Sequence, residues 1–153
     1  MNYSRYYPVD AINGEGTRCT LFVAGCEHKC RGCYNKSTWS VDAGEPFSEA
    51  LAIQIVKDLN DKRIHRQGLS ISGGDPLHPN NVNTVLALIQ KVKDECIGKD
   101  IWLWSGYTLK ELEPVQQEVV DLVDVFIDGK FEPELADAKL AFRGSSNQII
   151  HRK

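Results

Sequence analysis

The chain has 153 residues, 42% hydrophobic and 25% charged, which suits one globular domain with a substantial core. Its formal net charge of −3 excludes a general nucleic-acid footprint, and no apolar run approaches the roughly 18 residues that cross a bilayer. The segment Met1–Pro8 has no apolar signal core, so a cytoplasmic location is expected, in which the five cysteines point to thiolate chemistry rather than disulfides.

Taken in chain order, residues 19–25 read as a strand feeding a cysteine-rich loop. Residues 48–60 predict a helix with Ser48 as N-cap and Leu51, Ile55, Val56 and Leu59 on one face. Gly68–Gly73 is a short alternating strand that ends in Gly73-Gly74-Asp75-Pro76. Residues 81–95 carry Val82, Val85, Leu86, Ile89 and Val92 at helical spacing. Ile101–Trp104 predicts the next strand, Thr108 and Glu111 have the spacing of a capping box, and Pro114 can start a helix that runs through Val123. Residues 125–127 then form a strand ending in Asp128-Gly129-Lys130. Strands alternating with helices predict an α/β fold with a mainly parallel sheet. A complete eight-stranded α/β barrel needs about 250 residues. A single domain over residues 1–153 therefore has room for a partial, laterally open βα barrel.

In such folds ligands gather on the loops after the C-terminal ends of the strands. Those loops here are the cysteine loop, Gly73–Pro76, Ser105-Gly106-Tyr107 and Asp128–Lys130, so four polar or glycine-rich loops should converge on one rim. Cys26, Cys30 and Cys33 are one thiolate short of a closed tetrahedral site, and open positions are where metals bind substrates. Two readings stand at this point: an iron–sulfur cluster, or a zinc knuckle completed by His28, Cys19 or a remote ligand. His28, two residues from each flanking cysteine, is awkwardly placed to join them and reads as an exposed loop residue. Lys29, Arg31 and Lys36 against Glu27 give the loop a local charge of +2, either a solvated face or a docking patch for an acidic electron donor. Gly73 and Gly74 let backbone approach a ligand closely, and Asp128-Gly129 is also a common turn pair. Cys19 and Cys96 are expected to pack in the core, and Trp102 and Trp104 to pack in the core and at the rim. Residues 142–148 read as a polar loop between apolar segments.

The C-x3-C-x2-C spacing followed by Tyr34 resembles the cluster loop of the radical S-adenosylmethionine (SAM) enzymes. The resemblance extends through Tyr6–Asp10, Asn13–Thr20, Tyr34–Trp39, Ser72–Pro79, Asp128–Phe131 and Arg143–Gln148, and with these segments the chain looks like the glycyl-radical activases that serve anaerobic ribonucleotide reductases. It implies a radical-SAM type of open barrel, with Cys26, Cys30 and Cys33 holding a [4Fe–4S] cluster whose fourth iron is chelated by SAM. It further implies SAM contacts from Gly32, Cys33, Tyr34, Gly73, Gly74, Asp75, Asp128 and Lys130. Asp75 replaces the commoner Glu of the superfamily, and residues 142–148 match a tail element near the nucleotide or the partner. The implied reaction is reductive cleavage of SAM to a 5′-deoxyadenosyl radical, which makes a glycyl radical on the large reductase subunit. The implied assembly is a heterotetramer with that subunit, and the implied electron donor is reduced flavodoxin or a similar protein. Radical-SAM chemistry on a small molecule, as in a deazapurine synthase, is the nearer alternative; a zinc-binding adaptor is the other.

Overall fold

The computed structural model describes residues 1–33 and 36–153. Among the described residues, seven strands form one open sheet: β1 (Asn2–Asp10), β2 (Arg18–Val23), β3 (Glu45–Pro46), β4 (Gly68–Gly73), β5 (Asp100–Trp104), β6 (Val125–Asp128) and β7 (Ile149–Arg152). Their spatial order is β3-β1-β2-β4-β5-β6-β7. The four central strands β2, β4, β5 and β6 are parallel, while β1, β3 and β7 pair antiparallel at the two sides. The expectation of a mainly parallel sheet is thereby corrected to a mixed one. The reason lies in the flanking strands. β1 shows no alternation of buried and exposed positions, so no period-2 signal marks it as a strand. β7 shows none either, its two middle residues being half-buried between two exposed ones.

Three helices connect the parallel strands: α1 (Glu49–Asn60), α2 (Val82–Glu95) and α3 (Pro114–Leu122). Ser48 caps α1 by accepting from Leu51 N at 3.2 Å, as its sequence position predicts. Pro114 occupies the first turn of α3, where its missing N–H has no helical partner to lose. The segment Leu109–Glu111 is a single 3₁₀ turn, and Thr108 makes no capping bond to it, contrary to the capping-box spacing.

Side chains alternate across the parallel strands, and this sorts the molecule into two faces. One face carries Cys19, Leu21, Val23, Leu69, Ile71, Ile101, Leu103 and Phe126, all buried against Ile55, Leu59, Val85, Ile89, Val92 and Val119 of the helices. Cys19 and Cys96 both belong to this core, as expected. The opposite face holds Arg18, Thr20, Ser70, Trp102, Val125 and Ile127, a mixed polar and apolar lining. At the N-terminal ends of the strands it is filled by Arg18, by the end of β1 and by the segment after it: Thr20 Oγ1 donates to Asp10 Oδ2 at 2.6 Å, and Ser70 Oγ to Asn13 O at 2.5 Å. At their C-terminal ends it opens.

Candidate functional site

That opening is a cavity of about 370 Å³. All four loops named from the sequence reach it: Cys26, Cys30 and Cys33; Gly73 and Gly74; Ser105 and Gly106; Gly129 and Lys130. Phe142, Arg143, Gly144 and Gln148 of the C-terminal loop close a further side. Trp104 lines the wall and fixes that loop, its Nε1 donating to Phe142 O at 2.7 Å.

The cysteine loop leaves β2 at a fixed angle because its root is bonded into the fold. Gly25 N donates to Thr38 O at 2.7 Å, Cys26 N to Trp39 O at 3.0 Å, and Asp75 N to Gly25 O at 2.7 Å. Close approach is needed here: a Cβ on Gly74 would lie 2.6 Å from Gly25 O and 2.9 Å from Thr38 O. Gly73, at φ +107°, has Val23 N and O where its own Cβ would stand. Both glycines thus serve the backbone crossing between β2 and β4 as well as lining the cavity. Buried Asn81, at the start of α2, ties the same crossing by donating to Ala24 O at 2.8 Å and Asp75 O at 3.0 Å.

The three cysteines of the loop are half-buried at the cavity wall. Burial is the main cause that pushes the Cys26 thiol up to about 11, aided by the charges of Asp75 and Cys30 and opposed by backbone hydrogen bonds from His28 and Lys29. Among the described residues, no three His, Cys, Asp or Glu side chains converge on a point that one ion could fill. A [4Fe–4S] cluster does not ask for such a point, because its thiolates bind separate irons. Three soft thiolate donors and an adjoining cavity of ligand size fit such a cluster.

The remaining site residues fall into two groups. Lys130 is exposed at the cavity rim. Asp75 and Asp128 lie beneath it with their carboxylates engaged inside the protein. Asp75 accepts from Leu77 N at 2.8 Å, Ser105 Oγ at 2.8 Å and Gly106 N at 2.9 Å. Asp128 points to the helix-covered face and accepts from Leu109 N at 3.1 Å. Gly32, at φ +75°, packs against Phe131 and Pro133. Tyr34 lies outside the described residues.

One sequence expectation is overturned at the heart of the site. His28 is not an exposed loop residue: its side chain is 5% exposed, and its Nε2 donates to Asp75 Oδ2 at 2.6 Å. Its ring meets Tyr107 edge-to-face at 4.5 Å between centroids, and Tyr107 in turn hydrogen-bonds Glu27. No local pattern announces a contact between residues 47 positions apart. All three cations of the loop's positive patch, Lys29, Arg31 and Lys36, are exposed, and Arg31 is charge-balanced by a surface ion pair with Glu134.

A family model described as a 4Fe-4S single cluster domain matches residues 12–151. The chain is 62% identical over 151 residues to the anaerobic ribonucleoside-triphosphate reductase-activating protein of Escherichia coli K12, covering 99% of this chain and 98% of that protein. The protein of the same name from Vibrio cholerae is 58% identical over 152 residues, with the same coverage. That from enterobacteria phage T4 is 47% identical over 150 residues, covering 98% of this chain and 93% of the phage protein.

Proposed function

This chain belongs to the family of anaerobic ribonucleoside-triphosphate reductase-activating proteins, and on that premise we propose that it generates a glycyl radical on the large subunit of such a reductase. The observation that carries the reading is the loop of Cys26, Cys30 and Cys33 opening onto a cavity built by four strand-end loops. When bound, a [4Fe–4S] cluster supplies the electron for reductive cleavage of SAM to a 5′-deoxyadenosyl radical, the oxidant of the target glycine.

The chain's own residues position and exclude. Cys26, Cys30 and Cys33 would hold the cluster as thiolates, giving up their protons on loading. The backbone of Gly73 and Gly74 lines the wall where the amino group of SAM would bind. The Lys130 ammonium, at the cavity rim, would pair with its carboxylate. Gly32, Tyr34, Asp75 and Asp128 complete the proposed cofactor shell, the two carboxylates acting from beneath. Residues 142–148 cover the side next to Trp104 and shield the radical chemistry from water. We read the open sheet as a partial barrel of the radical-SAM kind, formed by a single 1–153 domain. A second cavity of about 340 Å³ shares Ile12 and Asn13 with the first and offers a lateral route for a partner's glycine loop.

The reductase partner in a heterotetramer, a flavodoxin-like donor and a cytoplasmic location follow from the same reading; no helix among the described residues is long and apolar enough to cross a membrane. The test is anaerobic incubation of the reconstituted protein with the reductase, reductant and SAM, followed by EPR. A glycyl-radical doublet that depends on all four components is expected, and its absence with a fully loaded cluster overturns the proposal.

A further inference from the structure

Behind the cysteine loop, His28 and Asp75 form a buried pair, their side chains 5% and 1% exposed. The Asp75 carboxylate has four protein donors: Leu77 N, Ser105 Oγ, Gly106 N and His28 Nε2. Two carboxylate oxygens offer about four acceptor sites, so the protein itself saturates this one. The donors come from the loops that follow β2, β4 and β5, and His28 is the one that belongs to the cysteine loop. It stands midway between Cys26 and Cys30, and its ring is enclosed. Tyr107 meets the ring edge-to-face at 4.5 Å between centroids, and a Cβ added to Gly106 would stand 2.4 Å from His28 Cδ2.

Other ties on this loop are weaker. Its root is fixed by the backbone bonds of Gly25 and Cys26, but residues 27–33 contain no helix or strand. Cys33 N donates to Cys30 O at 3.2 Å, a bond that stays inside the loop. Glu27 with Tyr107 and Arg31 with Glu134 are pairs at the exposed surface, where such contacts contribute little. The bond from His28 is buried and made to a carboxylate, which is the stronger kind.

We propose that His28 is a positioning residue: latched to Asp75, it orders the cysteine loop in the metal-free protein and so holds the thiolates ready for a cluster. The inference rests on the cluster reading of this site. A loop that becomes ordered only on loading sets its conformational entropy against metal binding, and a loop already latched does not. Without the latch, the span from Cys26 to Cys33 samples open conformations, and a loaded cluster is released sooner.

The test uses the full-length protein as wild type, His28→Leu, His28→Gln and Gly106→Ala. His28→Leu removes the donor to Asp75. His28→Gln can restore it. Gly106→Ala keeps both partners and displaces the ring. The first readout is trypsin cleavage of the metal-free protein after Lys29 and Arg31, followed by mass spectrometry, with cleavage after exposed Lys62 as the reference. Loop cleavage should rise about tenfold in His28→Leu and Gly106→Ala and stay within about twofold of wild type in His28→Gln, with Lys62 unchanged throughout. The second readout is iron release from the anaerobically reconstituted protein to a chelator, which should follow the same order. Wild-type loop cleavage in both His28→Leu and Gly106→Ala overturns the inference. So does an equal rise at Lys62, which marks loosening of the whole fold, and so does faster loop cleavage with wild-type iron release. Should His28→Leu not fold, Gly106→Ala decides by the same two readouts. If the wild-type protein takes up no iron, the cluster reading fails, and the cleavage series on metal-free protein still decides whether His28 orders the loop.

Discussion

At the N-terminal edge of the parallel strands, Arg18 is wholly buried and uses its guanidinium inside the protein. It donates to Ser70 Oγ at 2.6 Å and Leu69 O at 3.1 Å, pairs with Asp100 at 2.6 Å, and lies over the Trp102 ring at 5.4 Å. At the C-terminal edge of the same strands the backbone is equally well tied, yet the side-chain tips border a cavity of about 370 Å³. The difference separates what each edge can lose. A change at the closed edge removes stability and leaves the site's donors in place. A change at the open edge reaches the fold and the cavity together, because Gly74 and His28 line the cavity while their backbone or ring is packed into the fold. Burial by itself therefore does not identify the functional end of this sheet; what does is whether the buried groups border a space left for something else.

The sharpest way to break this comparison is at the cysteines. Cys26→Ala, Cys30→Ala and Cys33→Ala should each drop iron from about four per chain to near zero while circular dichroism stays native. Cys19→Ala and Cys96→Ala, in the helix-covered core, should keep full iron and lose about 1 kcal/mol of stability. Wild-type iron in any of the first three would move the metal site elsewhere.

At the closed edge, Arg18→Leu strands the Asp100 carboxylate and three other partners, and should cost roughly 3 kcal/mol in denaturant titrations. Iron content and SAM affinity should not change. A loss of iron at full stability would erase the distinction between the two edges.

Gly74→Ala tests the open edge, where a single Cβ meets backbone oxygens of Gly25 and Thr38. We expect roughly 2 kcal/mol of destabilisation together with lowered iron occupancy, because the collision sits at the root of the cysteine loop. Unchanged stability with weakened SAM binding would instead make Gly74 a pure ligand contact.

A smaller effect concerns the apo-protein. Because burial holds the Cys26 thiol near 11, its thiolate is scarce at pH 8, and alkylation of Cys26 should accelerate about tenfold per pH unit between 8 and 10. Mass spectrometry of the labelled cysteine reads this directly, and a pH-independent rate contradicts the buried setting.

The smallest effect lies outside the cavity. Arg31 is exposed but charge-balanced by Glu134, and Lys29 and Lys36 are the other exposed cations that this loop offers an acidic electron donor. Lys29→Glu with Lys36→Glu should slow cluster reduction by flavodoxin a few-fold at low salt and converge with wild type as salt rises, since screening acts over about 8–10 Å. Equal rates at low salt would mark the two lysines as solvated surface.

Much of this molecule is written in local spacing. The apolar faces of α1 and α2, the Ser48 cap, Pro114 at the start of α3 and the four parallel strands all follow from periods and caps within a dozen residues. So do Cys26, Cys30 and Cys33, whose chemistry resides in their spacing, and the convergence of the strand-end loops, which the α/β architecture imposes. Tertiary structure alone decided the rest. β1 and β7 become strands because neighbours in the sheet accept their hydrogen bonds, not because their own residues alternate. Arg18 and Asp100 meet across 82 positions, and His28 and Asp75 across 47. A polar side chain looks the same in sequence whether water or a distant carboxylate will satisfy it. Folding makes that choice, because burying the group without a partner would cost too much.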